Sequence, residues 1–173
     1  MKIKVRKMSI ADIPQLVDKM NNFYNILIEK GAKDISHDQN ILRGGIVIEI
    51  GGMFNNPELA CCIVALEETG KLVGFIIGLQ EFCSPVENCW KRVRVHGIYI
   101  ENDSLAAPRI IEAMWKELEC WGQQIGAGYF YANIHPGNQP SVRAAKSAGF
   151  KHHYTQFYRP IKLDQINEQK EEI

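Results

Sequence analysis

The stretch "GNQPSVRAAKSAGF", residues 137–150, decides how this chain is read. Asn138 opens it at a turn, an amphipathic run follows, and Gly149-Phe150 closes it. On its own this is the pattern of a capped helix, with Gly149 as the residue just past its end. The run before it, "YFYANI" at 129–134, reads as a short buried strand. Further upstream Ile110, Ile111, Met114, Trp115, Leu118 and Trp121 recur at helical spacing, with Glu112 and Lys116 as an exposed pair. Gly126 and Gly128 end that helix. Before it lies the strand "RVRVHGIYIE", 92–101, where Gly97 marks a bulge. A strand, a crossover helix and a further strand make a parallel pair.

Toward the N-terminus, Ile3 and Val5 alternate with Lys2, Lys4 and Arg6 as a strand with one buried face. Ser9 and Asp12 have the spacing of a capping box, and apolar residues from Ile13 to Leu27 follow at helical spacing up to Gly31. "ILRGGIVIEIGGMF", 41–54, carries four glycines and reads as a helix because "NNPE" stops it at 55–58. Strands 61–67 and 72–82 flank the turn Glu68-Thr69-Gly70-Lys71 as a hairpin. "SPVENCW", 84–90, is a loop, and "HHYTQFYRPI", 152–161, is the last strand. The expected fold is α/β (α+β): a mixed, mostly antiparallel central sheet with a splayed parallel pair and helices on both faces. It forms one domain over residues 1–163, with a polar tail over 164–173.

Composition narrows the functional classes. Lys plus Arg total 20 and Asp plus Glu total 20, so the formal charge is zero. That argues against a broad nucleic-acid or membrane surface. "KRVRVH", 91–96, is basic, yet it alternates along a strand, so only some of its charges share a face. No apolar stretch is long enough to span a bilayer or serve as a signal peptide. The five cysteines include no Cys-x-x-Cys pair, which fits reduced thiols, a cytoplasmic location and no metal site.

The element order, with the closing Asn138…Gly149-Phe150 motif and the strand "KLVGFIIG" at 71–78, resembles the GNAT superfamily of acyl-CoA-dependent N-acyltransferases. The resemblance implies acetyl transfer from acetyl-CoA, as co-substrate, to a primary amine of a small molecule or protein. It places the pantetheine arm against the backbone of Ile98, Tyr99 and Ile100. The pyrophosphate would sit over the next helix start, at Ser104, Leu105, Ala106, Ala107 and Arg109, and Asn138 would complete the cofactor site. The sequence departs from the family twice. "NDSLAAPRII" lacks the glycines of the family's phosphate loop, and Pro108 removes an amide donor there. Arg109 supplies a compensating charge. Ala145 stands where many members carry a tyrosine that protonates the leaving thiolate, which leaves Tyr154, Tyr158 or water for that task. These departures define the alternative: a non-catalytic protein of the same fold that binds a ligand or partner in the former CoA cleft.

For the chemistry, His96 beside the bulge is the candidate base, with Glu81 and Glu101 at strand ends as alternatives acting through water. Phe23 and Tyr24 on the first helix are candidates to shape the acceptor pocket. Exposed strand edges and the Trp90 region are compatible with a homodimer.

Overall fold

The computed structural model describes residues 2–32, 34–84, 89–101, 107–134 and 138–152. Five strands form one sheet: β1 (Ile3–Lys7), β2 (Ala60–Glu67), β3 (Leu72–Phe82), β4 (Lys91–Ile100) and β5 (Phe130–Ala132), in that spatial order. β1 to β4 run antiparallel to their neighbours, and β4 and β5 are parallel. The crossover between the parallel pair is α3 (Ala107–Gln124). The mixed sheet with one parallel pair is the expected fold class. The expected last strand and the polar tail fall mostly on 153–173, outside the described residues.

β2 and β3 are buried along most of their length because both faces are covered. Such strands read as continuous apolar runs rather than as alternation. On one face α1 (Ile13–Glu29) and α2 (Gln39–Asn55) pack Leu16, Met20, Leu42, Ile46 and Ile50 against Phe75 and Ile77. On the other face α3 packs Ile110, Met114, Leu118 and Trp121 against Ile63, Ile76, Val93 and Val95.

The capping pair at the start of α1 forms a larger knot than its spacing shows. The Asp12 carboxylate accepts from the Ser9 N–H at 2.6 Å, the Ser9 hydroxyl at 2.8 Å, and both terminal nitrogens of Arg6 at 2.6 and 2.8 Å. Burial works to raise the Asp12 pKa, and the Arg6 and Ser9 hydrogen bonds overcome it, so the group is held below the ordinary aspartate range. The glycine-rich segment is a helix, α2. Asp38 caps it, accepting from the N–H groups of Asn40 and Ile41 at 2.8 and 3.3 Å. Burial of Leu42, Ile46, Ile50 and Met53 on the core outweighs the weak helix propensity of its glycines.

The opening stretch forms α4 (Gln139–Ser147). Gly149 has φ +84°, its N–H donates to Lys146 O at 3.0 Å, and the Phe150 N–H donates to Ala145 O at 3.0 Å. This pair of bonds is a Schellman stop. It turns the Phe150 ring edge-on to Trp115 of α3, with centroids 5.6 Å apart. Gly149-Phe150 therefore fixes α4 to α3.

Candidate active site

The register of β3 on β4 slips at one point. Ile77 faces Gly97 and Gly78 faces Val95, so His96 is the extra residue of a β-bulge. Sequence reading placed the bulge at Gly97; the structure gives the extra position to His96. The bulge puts both residues on the α1/α2 side. A Cβ on Gly97 would lie 3.1 Å from two ring carbons of Phe23, so a larger residue would push that ring back by a few tenths of an ångström.

The same bulge coincides with the opening of the sheet. β5 pairs with Val93, Arg94 and Val95 and then leaves. The Glu101 N–H donates to Val73 O at 2.9 Å, toward β3. By strand alternation Tyr99 also turns its backbone groups to β3, and Ile98 and Ile100 turn theirs to the side β5 has vacated. An extended chain of amides laid there would meet them as an added strand does. The Ile98 side chain is exposed, and Tyr99 stacks on Phe75 with centroids 5.6 Å apart. α3 begins just beyond with Ala107 and Pro108 in its first turn, followed by Arg109, which is exposed. Ser104, Leu105 and Ala106 lie outside the described residues, as do Tyr154 and Tyr158.

Asn138 is 8% exposed, and its Oδ1 accepts from Lys30 Nζ at 3.0 Å. Its backbone oxygen accepts from the Val142 N–H. It thus ties the end of α1 to the start of α4. Glu101 does not join His96. Its oxygens take Lys19 of α1 and Lys71 of the β2–β3 turn, and those two bonds hold its pKa below the ordinary glutamate range.

Around His96 the structure assembles a cluster that spacing alone does not show. Tyr24 Oη donates to Glu49 Oε2 at 2.8 Å and lies 2.9 Å from His96 Nε2. Glu49 Oε1 lies 2.8 Å from the same nitrogen. Arg94 Nη1 sits 3.4 Å from His96 Nδ1, and its Nε donates to Glu81 Oε1 at 2.8 Å. Glu81 also receives Tyr131 Oη at 2.5 Å, and Arg92 lies over the Tyr131 ring at 4.8 Å. With Arg94 donating on one side, the tautomer that satisfies both nitrogens carries its proton on Nε2 and gives it to Glu49.

Burial pushes the Tyr24 phenol far above its ordinary value, helped by the negative charge of Glu49. Burial works to raise the Glu49 pKa too, but hydrogen bonds from His96 and Tyr24 hold it below the ordinary range. Glu81 behaves likewise, with burial overcome by Tyr131 and Arg94. Tyr131 is raised to about 12, first by burial and then by its bond to Glu81.

Two open cavities meet at this cluster. One, of about 430 Å³, is lined by Glu49, Met53, Leu79, Glu81 and Arg94; the other, of about 340 Å³, by Tyr24, Ile41, Gly45 and Glu49. Glu49 borders both. Sequence reading named Tyr24, His96 and Glu81 and missed Glu49 and Arg94. A signal for Glu49 was present, because it is the only carboxylate in α2.

Among the described residues no group of His, Cys, Asp and Glu is placed to hold a metal ion, and no helix is long and apolar enough to cross a membrane. Cys61, Cys62 and Cys83 are buried; burial pushes the Cys61 thiol up to about 11 and Cys62 higher still.

A bulged fourth strand, a fifth strand that parts from it, and a helix rising from the gap define the fold of the GNAT acetyltransferases, and this chain has that fold. Aminoglycoside 6'-N-acetyltransferase AAC(6')-IG from Acinetobacter haemolyticus superposes with a TM-score of 0.71 at 14% identity, covering 93% of this chain and 99% of that one. Glucosamine-6-phosphate N-acetyltransferase from Arabidopsis thaliana gives 0.65 at 12%, covering 94% and 100%. A protein described as a transcriptional regulator from Bacillus halodurans gives 0.70 at 13%, covering 92% and 100%. No family model and no curated protein sequence matches the chain.

Proposed function

We propose that the chain is an N-acetyltransferase that moves the acetyl group of acetyl-CoA to the primary amine of a small, mainly apolar molecule. One observation carries this reading: Tyr24, Glu49 and His96 converge at the bulge where β4 and β5 part. The fold neighbours named above support it, and the similar AAC(6')-Iy is described in complex with a CoA-linked bisubstrate analogue.

In this reading the pantetheine arm runs along Ile98 and Ile100, and the helix start with Arg109 meets the pyrophosphate. Glu49, an anion at the wall of both cavities, draws in the acceptor as its ammonium. Met53 and Leu79 receive the apolar body. The ammonium first releases one proton to solvent; the free amine then attacks the thioester carbonyl, the C–S bond breaks, and the second proton lost by nitrogen passes to Glu49 and finally to the CoA sulfur. His96 sits behind Glu49 and borders neither cavity, so its task is to orient and tune the carboxylate. His96 therefore moves from candidate base to the positioning partner of Glu49.

A panel of primary amines incubated with acetyl-CoA and scored by mass spectrometry tests the reading. Glu49→Gln should lower transfer by roughly 10²–10⁴, the usual worth of a placed acid–base group. Equal transfer by the variant removes Glu49 from the chemistry. A second reading, a ligand-binding protein without catalysis, draws on Ala145, which offers no proton donor, and on the regulator of similar fold. Acetyl-CoA binding without transfer to any amine would favour it.

A further inference from the structure

α2 is apolar on two opposite sides. Leu42, Ile46, Ile50 and Met53 face the core, and Ile41, Val47, Ile48 and Phe54 face away from it, at 65%, 51%, 77% and 42% exposure. An amphipathic surface helix carries charge on its outer side. On this outer side the one charge is Arg43, and Asp18 already neutralises it at 2.9 Å.

The order of residues on the outer face says what covers it. At 100° per residue, Gly44 and Gly51 lie along its centre line, Ile41 and Ile48 form one flank, and Val47 and Phe54 form the other. The pattern is symmetric about the midpoint between residues 47 and 48. Asn40 mirrors Asn55, Ile41 mirrors Phe54, Gly44 mirrors Gly51, and Val47 mirrors Ile48. A helix face with this symmetry is complementary to itself in the antiparallel sense.

We infer that the outer face of α2 binds α2 of a second copy across a two-fold axis between Val47 and Ile48. At the axis Ile48 meets Ile48 of the other copy on one flank, and Val47 meets Val47 on the other. One turn away Gly44 lies at the height of the other copy's Gly51, where two missing side chains let the backbones approach. At the ends Ile41 and the other copy's Phe54 share a height on opposite flanks and interleave. The contact is isologous, as closed dimers require.

The size of the contact fits a reversible dimer. A 17-residue helix is about 25 Å long and about 10 Å wide. Each face is about 250 Å² in projection, which puts the contact at the small end of interface sizes, where transient complexes sit. Ile41 also lines the smaller cavity beside Glu49, so a second copy extends that cavity's wall.

Sedimentation equilibrium of the full chain from about 1 to 200 µM tests the inference. The expected result is a monomer–dimer equilibrium that Ile48→Lys weakens at least 100-fold, since the change enters twice at the axis. The Gly44→Leu/Gly51→Leu variant gives a second arm. Nothing in the protomer lies within 4 Å of a Cβ added at either glycine, so the variant should fold unchanged by circular dichroism and still fail to dimerise. A monomer at every concentration overturns the inference, and so does a dimer that neither variant weakens. In the monomeric case, labelling of an Ile48→Cys thiol separates a face covered by the chain itself, which labels slowly, from an open one, which labels fast.

Discussion

Replacing Glu49 by Ala tests the cluster at the bulge without knowledge of the acceptor. In the native protein Glu49 accepts from Tyr24 Oη at 2.8 Å and pairs with His96 Nε2 at 2.8 Å, at 25% side-chain exposure. A hydrogen bond to a charged group contributes about 1.5–3 kcal/mol. Two are lost, but Tyr24 and His96 lie 2.9 Å apart and can satisfy each other. The net cost of Glu49→Ala should therefore be about 2 kcal/mol at pH 7, and Glu49→Gln, which keeps an acceptor in place, should cost less than about 1 kcal/mol. The pH dependence has a definite sign. The Glu49 pKa is held below its ordinary value in the folded protein. Its stabilisation is therefore complete above the unfolded glutamate pKa of about 4.3 and is lost as pH falls through the lower folded value. Urea denaturation of wild type and Glu49→Ala at pH 7 and pH 4 reads both effects, and the gap between the two proteins should shrink at the lower pH. Equal stability at pH 7, or a gap that widens on acidification, would refute the assigned contacts.

Two further outcomes follow from the geometry. Asp12→Ala leaves the Arg6 guanidinium and the Ser9 N–H without their acceptor at the entry to α1, and should cost about 3 kcal/mol at pH 7 in the same denaturation assay; because the Asp12 pKa is also lowered, this difference too should fade in acid. Gly97→Val drives side-chain atoms into the Phe23 ring, already 3.1 Å from where a Cβ would stand. A loss of roughly 2–3 kcal/mol and a lower melting temperature are expected; an unchanged melting temperature would mean that Phe23 is not packed against the bulge.

The elements were legible in the sequence wherever one periodicity held. Alternation in 3–5, helical spacing through Ile110 and Trp121, and turn residues at 68–71 each had one consistent reading. α2 was hardest, because its apolar residues lie on two faces and show no single period. That same doubling is what marks its outer side as an interface. The site was only half legible. His96 stood out next to a strand glycine, and Tyr24 on an amphipathic helix. Glu49 comes to them from 47 residues before His96, and only the packing of α2 over the bulge brings it there. The stretch that decided the fold has a local explanation as well: Gly149 and Phe150 make a helix stop and a ring contact with Trp115, and Asn138 holds Lys30.

The central claim is that the parted strands hold acetyl-CoA, and isothermal titration of acetyl-CoA into the full chain at moderate salt tests it most directly. Micromolar binding that weakens at least tenfold in Arg109→Ala, with melting temperature unchanged, is the predicted result. Absence of binding up to millimolar acetyl-CoA would contradict the claim.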